Sequence, residues 1–263
     1  MSYAVITGAS SGLGLEFARQ LAERGYGIIV TSNQPEENRV VAEMLCSQYQ
    51  ADVRVIDIDL TASDAAEEVY RMVNSWGLEV EILVSNAGML LFSTLVRTPL
   101  ERLEQIVRLH CTTPVKLIRL FGEDMQKRQK GYILITSSST AWMPYPTISH
   151  YAATKAFLKS FSRSVWYEFK RYGVGVTALF PGAVDTPLYH LSEQKRKWLR
   201  RFGVMQSPRE TVAVALRALF RKQYSCIPGF FTKFTVVLCT FVPVWMLLLI
   251  LKVPVIKRLY ESV

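Results

Sequence analysis

The sequence predicts an α/β fold: a doubly wound parallel sheet of about seven strands with helices on both faces, followed by an apolar helical extension at the C-terminal end. Three observations predict it. Short β-branched runs alternate with helical patterns along most of the 263 residues. The runs read as buried strands, as in a sheet covered on both faces. A glycine-rich turn joins the first run directly to the first helix. Half of the residues are hydrophobic, which suits one sizeable core rather than two cramped ones.

The elements follow in order. YAVIT is the first strand, and TGASSGLG after it carries glycines at 8, 12 and 14. Gly8 suits the tight turn, Gly12 a close backbone approach to a pyrophosphate, and Gly14 close packing of helix on strand. The free N–H groups of the helix N-terminus, over Ser10, Ser11 and Leu13, would face the phosphates. In the helix itself Leu15, Ala18, Leu21 and Ala22 form an apolar stripe, with Gly25 placed to end it. GIIVT, VRVIDI, EILVS, GYILIT and VGVTALF supply five further strands. In YAATKAFLKSFSRSVWYEF, Leu158, Phe161, Val165 and Phe169 fall at helical spacing and supply a core stripe.

That last helix also places Tyr151 and Lys155 on one face, four residues apart. A tyrosine hydroxyl ordinarily ionises near pH 10, and a neighbouring ammonium favours the phenolate, so the pair makes a usable acid and base.

Taken in order, TGxxxGxG, Asn86-Ala87-Gly88 after the fourth strand, a serine, YxxxK and PGAVDTP at 181–187 resemble the short-chain dehydrogenase/reductase family over about residues 3–228. The resemblance implies a Rossmann fold and an oxidoreductase that passes a hydride between a nicotinamide and a carbonyl carbon. It selects Ser138, thirteen residues ahead of the tyrosine, as the donor that holds the substrate oxygen, and Pro144 and Pro146 fall where relatives often carry prolines. It places Asp59 and Leu60 beside the adenine, and Asn86, Ala87 and Gly88 along the cofactor cleft. Pro181, Gly182, Val184 and Thr186 fall at the nicotinamide, with Val184 and Thr186 holding its carboxamide. Lys155 would also bond the nicotinamide ribose. One position departs from the family: His110 stands where relatives carry an asparagine. Two roles stay open for it, a part in the proton relay and that of a packed helix histidine.

A carboxylate at the end of the second strand would hold a ribose 2′-hydroxyl and repel a 2′-phosphate. That position reads Thr31, Ser32, Asn33, Gln34, with no acid. Donors at Ser32 and Asn33 therefore favour NADP(H) over NAD(H).

The charge is uneven. Residues 1–190 hold 18 Lys and Arg against 19 Asp and Glu, and residues 191–263 hold 13 against 3. The basic stretch LSEQKRKWLRRFGVM lies in the expected substrate lid, about 188–207, where it suits anionic headgroups or an anionic substrate. No nucleic-acid-binding motif accompanies the charge. Residues 229–263 form the extension. Its uncharged run from Phe234 to Leu251 would measure about 27 Å as a helix, short for a bilayer core of roughly 30 Å, and Pro243 interrupts it. The expectation is a kinked or re-entrant anchor on an anionic membrane surface, with a soluble flap over a greasy pocket as the alternative. The N-terminus lacks the pattern of a cleaved secretory signal, so a cytoplasmic protein at the cytoplasmic face of a membrane is expected. Scattered cysteines at 46, 111, 226 and 239 and three isolated histidines give no metal site.

The tailed layout is similar to that of reductases of long-chain ketolipids such as 3-ketosphinganine, and to some hydroxysteroid dehydrogenases. A lipophilic ketone is the expected substrate, and a homo-oligomer paired through helices 100–129 and 151–172 the expected assembly. The competing readings are a soluble hydroxysteroid or bile-acid dehydrogenase, and a catalytically idle cofactor-binding regulator.

Overall fold

A computed structural model describes residues 1–90, 92–142, 147–189, 193–194, 199–200, 203–241 and 246. Its central feature is a seven-stranded, all-parallel sheet. In chain order the main elements are β1 (Tyr3–Thr7), α1 (Gly12–Ala22), β2 (Gly27–Ser32), α2 (Pro35–Tyr49), β3 (Val53–Asp57), α3 (Ala65–Ser75) and β4 (Val80–Ser85). They continue with α4 (Leu100–Val107), α5 (Thr113–Arg128), β5 (Gly131–Thr136), α6 (Ser149–Lys170) and β6 (Val174–Leu179). A helix Pro208–Phe220 and the short seventh strand Ser225–Cys226 close the sheet, and a helix Phe230–Phe241 follows.

The strands lie in the order β3, β2, β1, β4, β5, β6, Ser225–Cys226. The chain therefore winds outward from β1 to β3, then returns to pair β4 on the other side of β1. At that reversal the loops leaving β1 and β4 diverge to opposite faces and open a crevice beyond the strand ends. Register fixes which side chains enter which core. Tyr3 and Val5 join the cluster packed under α3, α5 and α6, while Ala4 and Ile6 join the one packed under α1 and the Pro208–Phe220 helix. A strand buried on both faces has no polar side to alternate with, which is why YAVIT, GIIVTS and VEILVS are buried at every position.

Residues 100–128 do not form one regular helix. α4 and α5 are joined by a five-residue π-helical turn, Arg108–Thr112, with His110 at its centre. The extra residue in such a turn re-aims the side chains that follow it.

Candidate active site

A cavity of about 880 Å³ opens beyond the C-terminal ends of β1, β4 and β5. Gly8, Ser10, Ser11, Gly12 and Leu13 line one part of it, Asn86–Gly88 the middle, and Ser138, Tyr151 and Lys155 another, with Pro181, Gly182, Val184 and Thr186 along the wall. Ser32, Asn33, Asp59 and Leu60 line it as well. Thus residues from nearly the whole chain, chosen by motif, meet around one space.

The turn after β1 depends on its glycines. Gly8 has φ of +67°, and a Cβ there would lie 2.9 Å from Ala87 Cα. Gly14 does not line the cavity. A Cβ on it would sit 1.9 Å from the Gly8 carbonyl oxygen, so its role is to let α1 begin hard against the turn. Ser11 at the N-cap makes no side-chain cap, which leaves the first-turn N–H groups to an anion in the cavity. Asn86 clips the two loops together: its Nδ2 donates to the Thr7 carbonyl at 3.1 Å, and its main-chain N–H donates to Thr7 Oγ1 at 2.9 Å. A dinucleotide suits this surface, with a glycine-floored turn and a helix N-terminus for its phosphates.

At the far end Ser32 lines the cavity, and its hydroxyl is engaged by the protein. Its hydroxyl donates to Asn38 Oδ1 at 2.7 Å and accepts from the Gln34 N–H at 3.1 Å. Asn38 is fully buried and also donates to Asp57 Oδ1 at 2.6 Å. The Ser32 proton is thus committed to the fold, and the amides of Asn33 and Gln34 remain as the donors there. Glu37 lines the same end of the cavity. Reading the strand end alone missed it, because Pro35 starts α2 at once and its first turn brings the residue at 37 back toward the strand; proline at a helix start was the available signal.

At the chemical end, Ser138 is buried and its Oγ accepts the Thr140 N–H at 3.2 Å, so its own hydrogen can be given to a substrate oxygen. Ser137 donates to the Lys155 carbonyl instead, so the two neighbouring serines have different jobs. Lys155 is 3% exposed. Its Nζ donates to the Thr136 carbonyl at 3.1 Å and lies 5.4 Å from the centre of the Tyr151 ring. Burial pulls its pKa down to about 8, with the Cys111 thiol opposing slightly. A cation so poised charges and discharges close to neutral pH.

His110 does not line the cavity. The ring is buried, Nε2 accepts the Met89 N–H at 3.0 Å, and Nδ1 lies 2.9 Å from Thr154 Oγ1. Both ring nitrogens are engaged by the protein, so of the two roles left open for this residue the side chain fits that of a packed helix histidine. Met89, Leu90, Arg102, Leu109 and Leu188 line more of the wall, beside Pro187 of the PGAVDTP motif, and were not singled out in the sequence. Of these only Arg102 is charged.

Of the basic stretch, Lys195–Trp198 and Arg201 lie outside the described residues, as do His190, Pro144, Pro146 and most of the apolar tail. Arg200 pairs with Asp185 at 3.2 Å. The helix beginning the extension starts at Phe230, four residues before the uncharged run, and seats Thr232 on Gly182 of the cavity wall, where a Cβ would lie 2.3 Å from Thr232 Oγ1. Among the described residues no helix is long and apolar enough to cross a membrane.

The model of the short chain dehydrogenase family matches residues 2–197. The human 17-beta-hydroxysteroid dehydrogenase type 3 is 35% identical over 189 residues, covering 71% of this chain and 60% of that protein. The very-long-chain 3-oxoacyl-CoA reductase of Aspergillus clavatus is 30% identical over 224 residues, covering 84% and 62%. The chain thus matches about three-fifths of the length of these curated relatives. A solved 7beta-hydroxysteroid dehydrogenase superposes with a TM-score of 0.82 at 24% identity, covering 89% of this chain and 90% of that one, which shows the shared fold.

Proposed function

Because this chain belongs to the short-chain dehydrogenase family, we propose that it interconverts a ketone and a secondary alcohol on a lipophilic substrate. The observation that carries this reading is the meeting of Ser138, Tyr151 and Lys155 in the cavity that the glycine turn and Asn86–Gly88 also line. The nicotinamide, when bound, supplies or accepts the hydride. Tyr151 donates its phenolic proton to the oxygen as the carbon is reduced, and recovers it from solvent afterwards. Ser138 donates a hydrogen bond to the same oxygen, stabilising charge with a dipole already in place. Lys155, charged below about pH 8, favours the phenolate that remains. In oxidation each transfer runs backwards.

A greasy substrate is supported by Met89, Leu90, Leu109 and Leu188 along the cavity and by the similarity to a 17-beta-hydroxysteroid dehydrogenase and a very-long-chain 3-oxoacyl-CoA reductase. A long-chain ketolipid such as 3-ketosphinganine fits this description. NADP(H) remains the proposed cofactor on the strength of the Asn33 and Gln34 amides. Glu37 at the same end opposes a 2′-phosphate and narrows the preference over NAD(H). The test is turnover of the purified full chain with NADPH and with NADH on a long-chain 3-ketolipid, a 17-ketosteroid and acetone-sized ketones. Expected is kcat/KM at least tenfold higher on one of the two lipophilic ketones; equal rates on small polar ketones would remove the lipid assignment.

Membrane association belongs to the same reading. Phe230, Phe231, Phe234, Val237, Leu238 and Phe241 are exposed and share one face of their helix, while Thr232 and Val236 on the opposite face are buried. That apolar face begins a segment whose surroundings are strongly basic, a combination suited to an anionic bilayer surface. In flotation with phosphatidylglycerol vesicles at low salt the protein is expected in the lipid fraction. Recovery of all of it at the bottom of the gradient would leave the soluble-flap alternative.

A further inference from the structure

The bonds around His110 determine where its proton sits. A main-chain N–H can only donate, so Nε2, which faces Met89 N–H at 3.0 Å, carries no hydrogen. Thr154 Oγ1 gives its single proton to the Tyr151 carbonyl at 2.8 Å, so toward Nδ1 it can only accept. The ring is therefore neutral with its hydrogen on Nδ1, and every partner is satisfied. It is wedged between two parts of the site. One flank lies against Gly88, where a Cβ would come within 3.1 Å of Nε2, and the other meets the Tyr151 ring edge to face at 5.6 Å between centroids. The π-helical turn is what points the side chain into this gap.

We infer that His110 is a positioning residue for Tyr151, its neutral ring tying the main chain after β4 to the first two turns of α6 so that the cavity floor and the phenol keep one spacing. The inference rests on the catalytic reading of Tyr151 and Lys155. It also makes the tie conditional on protonation. An imidazolium would turn Nε2 into a second donor against Met89 N–H and set a second positive charge near Lys155. Among the described residues, the titratable groups that face the ring are Tyr151 and Lys155 from α6, Cys111 is its neighbour in the turn, and the Asn86–Met89 segment has none. Burial and Lys155 hold the histidine pKa well below 6.5, so the tie is intact at neutral pH.

The chain has three histidines, at 110, 150 and 190, which makes nitrogen NMR of 15N-histidine-labelled full-length protein decisive. One ring is expected to show the Nδ1–H tautomer and to stay neutral at pH 6.5, and that signal is expected to vanish in His110→Gln. Glutamine keeps an acceptor for Met89 without a titrating ring, so its kcat should stay within about threefold of wild type, with the acid limb of the rate profile gone. His110→Ala removes the tie, with kcat down roughly 10- to 100-fold, a displaced alkaline limb, and KM for the cofactor within about threefold. An Nε2–H tautomer, or titration near 6.5, overturns the inference without any activity measurement. A kcat and pH profile unchanged in His110→Ala overturns it as well. Should His110→Ala fail to fold, the wild-type spectra and the His110→Gln profile still decide. Wild-type protein inactive on every ketone would instead refute the catalytic reading, and with it the positioning role.

Discussion

Replacement of Tyr151 by phenylalanine is expected to lower kcat by about 10³-fold or more while leaving cofactor binding and melting temperature nearly unchanged. The change deletes one oxygen. The phenyl ring keeps its edge contact with His110 and its place near the Lys155 ammonium, so neither the packing of α6 nor the spacing set by the π-helical turn is disturbed. What is lost is, among the described residues of the proposed site, the proton donor that can both give a proton and bear the resulting charge beside a cation. Ser138 cannot substitute, because a serine hydroxyl donates a hydrogen bond without releasing its proton at neutral pH. Stopped-flow measurement of hydride transfer, with cofactor fluorescence titration as the control, checks both halves. A loss below tenfold would mean that the phenol is not the acid, and the catalytically idle regulator would become the better reading only if the wild type were equally slow.

Lys155→Met is expected to abolish turnover and yet raise the melting temperature. Lys155 is 3% exposed, its Nζ donates to the Thr136 carbonyl, and among the described residues no carboxylate pairs with it. The sign follows from proton binding. The folded-state pKa of about 8 lies below the ordinary 10.5, so between those values the unfolded chain holds the proton more often, and stability rises with pH across that window. At pH 7 the buried charge therefore costs on the order of 3 kcal/mol. Methionine removes that cost, fills a similar volume, and gives up the bond to Thr136, worth about 1 kcal/mol. The net gain should appear in calorimetry as roughly 2–6 °C. A lower melting temperature would show that Lys155 is a structural member of the fold rather than a charge held there for chemistry. The same pKa predicts that reduction weakens as pH rises past about 8, since the phenolate then loses its neighbouring cation.

These two residues illustrate what was legible beforehand. Tyr151 and Lys155 lie four apart on one helix, so the sequence placed them on one face without knowledge of anything else. The same is true of the glycine turn, whose residues act on one another within seven positions, and of the alternation of apolar runs that fixes a sheet covered on both faces. Order along the chain was enough for these because helix and strand periods convert spacing into direction. Family resemblance carried the more distant residues, Asn86, Ser138 and Thr186, to a common cavity.

The rest was decided in three dimensions. Whether Ser32 faces a cofactor or the fold depends on Asn38, a buried side chain that claims its proton. Glu37 reaches the cavity because of where α2 begins, and a window of four residues at the strand end does not contain it. His110 was open between two roles, and its answer lies with Met89, 21 positions away, and Thr154, 44 positions away. Asn86 and Thr7 meet across 79 residues only because β4 returns to pair with β1. Sequence periodicity records which face of an element is buried, and so determined the sheet, its coverings and the shared face of Tyr151 and Lys155. The choice of partner for each buried polar group is a property of register and side-chain rotamer, which exist only once the elements have packed.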